Sequence, residues 1–137
     1  MQNEIGIPRS GVWTKDEAAA QAPFVGYTGR ILKQLLRQVG LDPHHITFTN
    51  VFNFQPTPTN DVKNLCGAKP DGIKWMPFLQ RGKYVKAEYE HCIYELQTLV
   101  ETMKPNLIIA CGATASWALC KTNGIKNIRG GPLSTWY

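Results

Sequence analysis

The feature that most constrains this fold is the run Ile46-Thr-Phe-Thr-Asn-Val-Phe-Asn-Phe54. Ile46, Phe48, Phe52 and Phe54 fall on one side, and Thr47, Thr49, Val51 and Asn53 on the other. This period of two, rich in β-branched and aromatic residues, predicts a β-strand. Asn50 falls on the otherwise apolar side. A buried carboxamide must have its donors and its acceptor satisfied, or it costs free energy. Two readings are open at this point. Asn50 is either a structural residue that caps or bridges backbone where the strand ends, or an amide that faces a pocket and reads the edge of a ligand.

The rest of the chain must supply partners for that strand. Its 137 residues make one ordinary domain, 1–137, long enough to bury a core. With 43% hydrophobic and 18% charged residues, it is expected to be globular rather than disordered. No apolar run reaches membrane-spanning length and the start has no signal-peptide core, so a cytoplasmic protein with no membrane partner is expected. Cys66, Cys92, Cys111 and Cys120 have wide, irregular spacing and no C-x-x-C pair. That argues against a disulfide framework or a self-contained zinc site, and for reduced thiols. A net charge of +5 and a pI near 9.1 favour a polyanionic partner.

In chain order, residues 1–22 are weakly patterned, and Thr14–Ala20 offers one capped helical turn or two. Gly26 and Gly29, beside Phe24 and Tyr27, predict either a loop that approaches a ligand closely or a turn packing two aromatics. A helix then opens at Thr28 or Gly29, with Ile31, Leu32, Leu35, Leu36 and Val39 as its apolar stripe and Gly40 just past its end. His44 and His45 read as solvated turn residues leading into the central strand.

Residues 55–85 are the least regular, broken by prolines and glycines. There Lys63, Lys69, Lys74, Arg81 and Lys83, with Lys86 just beyond, interleave with Trp75, Phe78 and Tyr84, against Asp61 and Asp71. Such a stretch either contacts phosphates and stacks on bases or is a solvated loop pinned by its aromatics.

From Lys86 to Met103 the helical period returns, with Tyr89, Cys92, Ile93, Leu96, Val100 and Met103 facing inward. Pro105 ends it. Asn106–Cys111 is continuously apolar after its first residue, the pattern of a strand buried on both faces of a parallel sheet. A helix from about Ala113 to Lys121 and a short strand at Ile125–Ile128 complete an α/β layered fold. Ligands in such sheets lie at the carboxyl ends of the strands, here Asn50–Pro56 and Gly112–Thr114.

Several motifs now line up in order: Pro23-Phe-Val-Gly26 with Gly29, Gly40-Leu41, Thr49-Asn-Val-Phe-Asn-Phe-Gln-Pro56 with Asn60-Asp61, Gly82-Lys-Tyr-Val85, Glu88-Tyr89, Pro105-Asn-Leu-Ile-Ile109, Gly112-Ala-Thr-Ala115 and Arg129-Gly130. Together they resemble the uracil-DNA glycosylase superfamily, most closely the family 4 type and its phage and bacterial relatives. The resemblance runs from about Pro23 to Gly131. It implies a three-layer α/β/α sandwich around a short, mainly parallel central sheet.

It also implies an activity, the flipping of uracil out of DNA and hydrolysis of its N-glycosidic bond, with uracil-containing DNA as partner. Phe24 would stack on the flipped base, with Gly26 and Tyr27 beside it. Asn50 would read the uracil edge, its N–H₂ donating to O4 and its carbonyl accepting from N3–H. Cytosine presents the reverse pattern and would leave both groups unpaired. Pro56, Asn60, Lys69, Lys74, Lys83 and Arg129 are the expected DNA contacts.

The chain departs from the family pattern in three places. Where members carry a strand ending in G-E-[AG]-P-G, it offers Ile5-Gly-Ile-Pro8, with no Glu and little room for the strand. The H-P-[SA] segment that follows R-G in members does not occur before Tyr137. Of the cysteines that bind an iron–sulfur cluster in family 4, only Cys92 has a match, Phe54 standing at another ligand position. One thiolate cannot hold a cluster, so no cofactor is expected. No catalytic residue is assigned on sequence alone. The intact pocket residues favour an enzyme, and the missing segments favour a glycosylase-like module that binds DNA or a protein partner without chemistry.

Overall fold

The computed structural model describes residues 2–5, 27–54, 61–123 and 130–136. Among these, three parallel strands frame the molecule: β1 (Gln2–Ile5), β2 (Ile46–Thr49) and, after a separate hairpin, β5 (Leu107–Ala110). Their order is β2-β1-β5, and the register sets Ile5 opposite both Thr49 and Ala110.

This arrangement corrects two expectations. The weakly patterned start, thought to leave little room for a strand, supplies the central one, and Ile46–Thr49 lies at the edge. A four-residue strand paired on both sides is held by its backbone ladder, which leaves no signature in side-chain alternation. A third correction concerns Leu107–Ala110, expected to be buried on both faces. Leu107 is 51% exposed and Ala110 is exposed, with Ile108 and Ile109 half-buried, and among the described residues β5 pairs with β1 alone.

Helix α1 (Tyr27–Gln38) begins one or two residues earlier than the sequence predicted. It is seated on Gly29 and Leu36, with Leu32 half-buried. Leu35 and Val39 of the expected inward stripe are 53% and 72% exposed. The apolar spacing sets the helical period, but the arc that meets the protein is rotated toward the small Gly29, where the backbone can approach closely. Gly40 takes φ +86°; the Leu41 N–H bonds to the Leu36 carbonyl at 2.9 Å and the Gly40 N–H to Arg37 at 3.1 Å. That paired closure is a Schellman end, as the sequence predicted at this glycine.

Residues 62–86 are not a structureless loop. A short 3₁₀ turn at Val62–Leu65 leads into a small antiparallel pair of β3 (Cys66–Gly67) and β4 (Tyr84–Val85), and another at Lys69–Asp71 lies in the connection between them. The Asp61 carboxylate accepts the Lys63 N–H at 3.0 Å and starts the first turn. Val62, Leu65, Ile73, Met76, Leu79 and Val85 are all buried. Each such side chain contributes about 1.5–3 kcal/mol by leaving water.

They pack with Val51 and Phe52 against helices α2 (Glu90–Met103) and α3 (Ala113–Cys120). On α2 the buried positions are Cys92, Ile93 and Leu96, the face predicted from its period, and Lys104 ends it in the left-handed region at φ +47°. From α3, Trp117 is wholly buried and its indole N–H donates to the Pro77 carbonyl at 2.8 Å.

The last described segment returns over the same core. Trp136 donates from its indole to the Ala118 carbonyl at 2.8 Å, and the Lys121 ammonium lies 4.9 Å from its ring centroid and 5.2 Å from that of Trp75. Among the described residues no helix is long and apolar enough to cross a membrane. Thr14–Ala20, Pro23–Gly26, Gln55–Asn60 and Ile125–Ile128 lie outside the described residues.

Candidate functional site

Asn50 is the first residue past β2, at the carboxyl edge of the sheet. It is 1% exposed, and neither Nδ2 nor Oδ1 of its side chain has a hydrogen-bond partner among the described residues. Buried polar groups are almost always paired, and each unpaired one costs of order 1–3 kcal/mol. A carboxamide in this state is held ready for something that donates to Oδ1 and accepts from Nδ2.

The structural role that the sequence offered Asn50 is filled by its neighbour. Asn53 accepts the Asn50 N–H on Oδ1 at 3.3 Å, and its Nδ2 donates to the Asn50 carbonyl at 3.2 Å and to Thr49 Oγ1 at 3.4 Å. Asn53 thus bridges the backbone at the strand end, leaving the Asn50 amide uncommitted. Asn53 is not among the site residues expected from sequence. The available signal was its spacing, three residues after Asn50, from which an Asn side chain folds back on the preceding main chain.

Behind this turn stands an aromatic wall. Phe52 is fully buried, with its ring centroid 6.5 Å from that of Tyr89 in an edge arrangement, while Phe54 stacks on Tyr89 at 5.9 Å. These contacts lock the strand end to the start of α2. Across the same edge, Gly112 follows β5 at φ +99°, a conformation that only glycine adopts without strain, and its carbonyl accepts from the Ser116 N–H and hydroxyl. Asn50 and Gly112 therefore lie past the carboxyl ends of β2 and β5, the end of the strands at which open α/β sheets take their ligands.

The family model for the Uracil DNA glycosylase superfamily matches residues 14–134. This chain belongs to that superfamily. It is also 26% identical over 125 residues to the Type-4 uracil-DNA glycosylase of Thermotoga maritima, an alignment covering 87% of this chain and 52% of that protein. The chain thus spans about half the length of the curated relative it matches.

Against that membership, the sequence-predicted positions fall as follows. Asn50 is buried at the carboxyl edge; Tyr27 heads α1 and is exposed. Lys69, Lys74 and Lys83 are exposed on the 62–86 segment, with Lys83 tied through its main chain to Gln80 at 2.7 Å. Phe24, Gly26, Pro56, Asn60 and Arg129 lie outside the described residues.

The iron–sulfur cluster of the family 4 type finds no matching donor set here. All four cysteines are in described segments, yet no three His, Cys, Asp or Glu side chains come together among the described residues. Burial, and secondarily the Glu95 charge, pushes the Cys92 thiol up to about 11, and burial also raises Cys66 and Cys120. With no such group of side chains, the described residues do not fit a cluster.

Proposed function

We propose that this chain acts on uracil in DNA as a glycosylase-type protein, with Asn50 as the residue that reads the flipped base. The observation that carries the proposal is the buried Asn50 amide with both polar atoms unpaired at the carboxyl edge of the sheet. Uracil offers the complement: its O4 accepts from Nδ2–H, and its N3–H donates to Oδ1. Cytosine reverses both and is rejected, since four polar groups would be left facing like partners.

In the reaction, water adds at C1′ as the C1′–N1 bond breaks, and the electron pair leaves on uracil as its N1 anion. Part of that charge appears on O4, so the hydrogen bond from Asn50 strengthens as the bond breaks. The proton that the water sheds passes to solvent, from which the released anion is neutralised. Phe24 stacks on the base, with Gly26 and Tyr27 completing the pocket. Pro56, Asn60, Lys69, Lys74, Lys83 and Arg129 grip the DNA. The parallel sheet is read as the centre of a three-layer α/β/α sandwich, in a single domain over 1–137.

One observation favours a second reading. Gly6-Ile-Pro8, standing where family members carry G-E-[AG]-P-G, has no carboxylate to position water. On that reading the chain binds flipped uracil without cleaving it.

A single-turnover assay on a single-stranded oligonucleotide with one uracil tests both, with alkali revealing abasic sites. Uracil release by the wild type, lost in Asn50→Ala, supports the enzyme. Retained binding without release supports the second reading. Release that survives Asn50→Ala overturns the role given to that residue.

A further inference from the structure

A concavity lies on the 62–86 segment. Its volume is about 400 Å³, within the range of small-ligand sites. Ile73 and Met76, both buried, form its floor, and Tyr84 is one wall. Lys69, Pro70 and Lys74 make an exposed rim.

The wall is built rather than incidental. A Cβ placed on Gly72 would lie 2.5 Å from the Tyr84 Cβ, so only glycine lets that side chain sit where it does. Phe78 meets the Tyr84 ring in an edge contact, with centroids 6.0 Å apart. The Ile73 N–H bonds to the Val85 carbonyl at 2.9 Å, which ties the floor to the strand bearing Tyr84.

The segment that carries it is basic in sequence. Besides the two rim lysines it holds Lys63, Arg81, Lys83 and Lys86, against Asp71 and an Asp61 whose carboxylate is engaged by the Lys63 N–H. An apolar floor, an aromatic wall and two ammonium groups at the rim match the parts of a nucleotide: a base to stack, a sugar to cover and a phosphate to neutralise.

We infer that the Lys69–Lys74–Tyr84 pocket holds one unstacked nucleotide of single-stranded DNA, outside the base that Asn50 reads. This rests on the DNA reading above and adds to it a second base slot. A single strand places a base there without the cost of unpairing it, so the slot makes the protein prefer single strands to duplex.

The test is a fluorescence-anisotropy titration of the full chain with a labelled, uracil-free oligothymidylate and with a duplex of equal length. Tyr84→Leu should weaken single-strand binding about tenfold or more, while Tyr84→Phe stays within about twofold of wild type. Replacing Lys69 and Lys74 together with Ala should lower the salt slope of single-strand binding by about 1–1.5.

Equal losses on single strand and duplex, or wild-type affinity in Tyr84→Leu, overturn the slot. An unchanged salt slope in the lysine pair does so too. Both lysines are exposed, so that variant decides the matter even where Tyr84→Leu does not fold. A wild type that releases uracil while these variants bind normally sinks the slot alone. A wild type that neither binds DNA nor releases uracil sinks the DNA reading with it.

Discussion

Asn53 holds Asn50 by its main chain on both sides, accepting its N–H at 3.3 Å and donating to its carbonyl at 3.2 Å. One amide is spent so that the other stays free. Asn53→Ala should therefore cost about 1 kcal/mol in chemical denaturation. Uracil release should fall further than stability accounts for, because the Asn50 backbone loses its brace. Equal, small effects on both would make Asn53 an ordinary turn residue.

Replacing Asn50 itself separates function from structure. Both its polar side-chain atoms are buried and unpaired, so Asn50→Leu, close in size, removes a desolvation cost. The variant should gain about 1–2 kcal/mol, a rise of a few degrees in Tm, while losing discrimination for uracil. A lower Tm would mean that the amide holds the fold together.

Gly112 sits at φ +99° with ψ 177°. Gly112→Ala should cost about 1–3 kcal/mol from backbone strain alone. The added methyl would also narrow the approach to the carboxyl edge. Thermal melting and the single-turnover rate check the two effects separately, and a variant as stable and active as wild type would refute both.

Cys92 links stability to pH. Its thiol is pushed from 9.0 to about 11 by burial first and by Glu95 second. The folded state holds the proton more tightly than the unfolded one. The resulting stability is fully present below pH 9 and fades as pH rises toward 11. Denaturation at steps across that window should show a loss of order 2 kcal/mol in the wild type that is absent in Cys92→Val. A fall of the same size in both would place its origin elsewhere. Alkylation of Cys92 at neutral pH should be slow for the same reason.

How much of this was readable beforehand depends on which force shapes each part. The long helix at 90–103 repeats its apolar residues at the helical period and buries Cys92, Ile93 and Leu96 as that period requires. Gly40 announces its turn because positive φ favours glycine. Leu35 and Val39 were misjudged because spacing along one helix does not say which neighbour it meets. Gln2–Ile5 was missed because backbone pairing, and not composition, makes it a strand. The buried set at 62–85 was hidden by 3₁₀ turns and prolines that obey neither period. The unpaired state of Asn50 is a three-dimensional fact. It could be posed as a question from the alternation of residues 46–54, but it was resolved only by seeing that Asn53 takes the capping work.

The placing of β1 between β2 and β5 has a mechanical consequence. Asn50 and Gly112 follow strands that share no hydrogen bond with each other. Those two strands therefore lie two inter-strand spacings apart, about 10 Å, a dimension set by peptide geometry. Side-chain changes in Gln2–Ile5 leave that gauge untouched as long as both ladders survive. A proline at Asn3 or Glu4, which removes an amide from a ladder, would let the two jaws part without altering any residue that faces them.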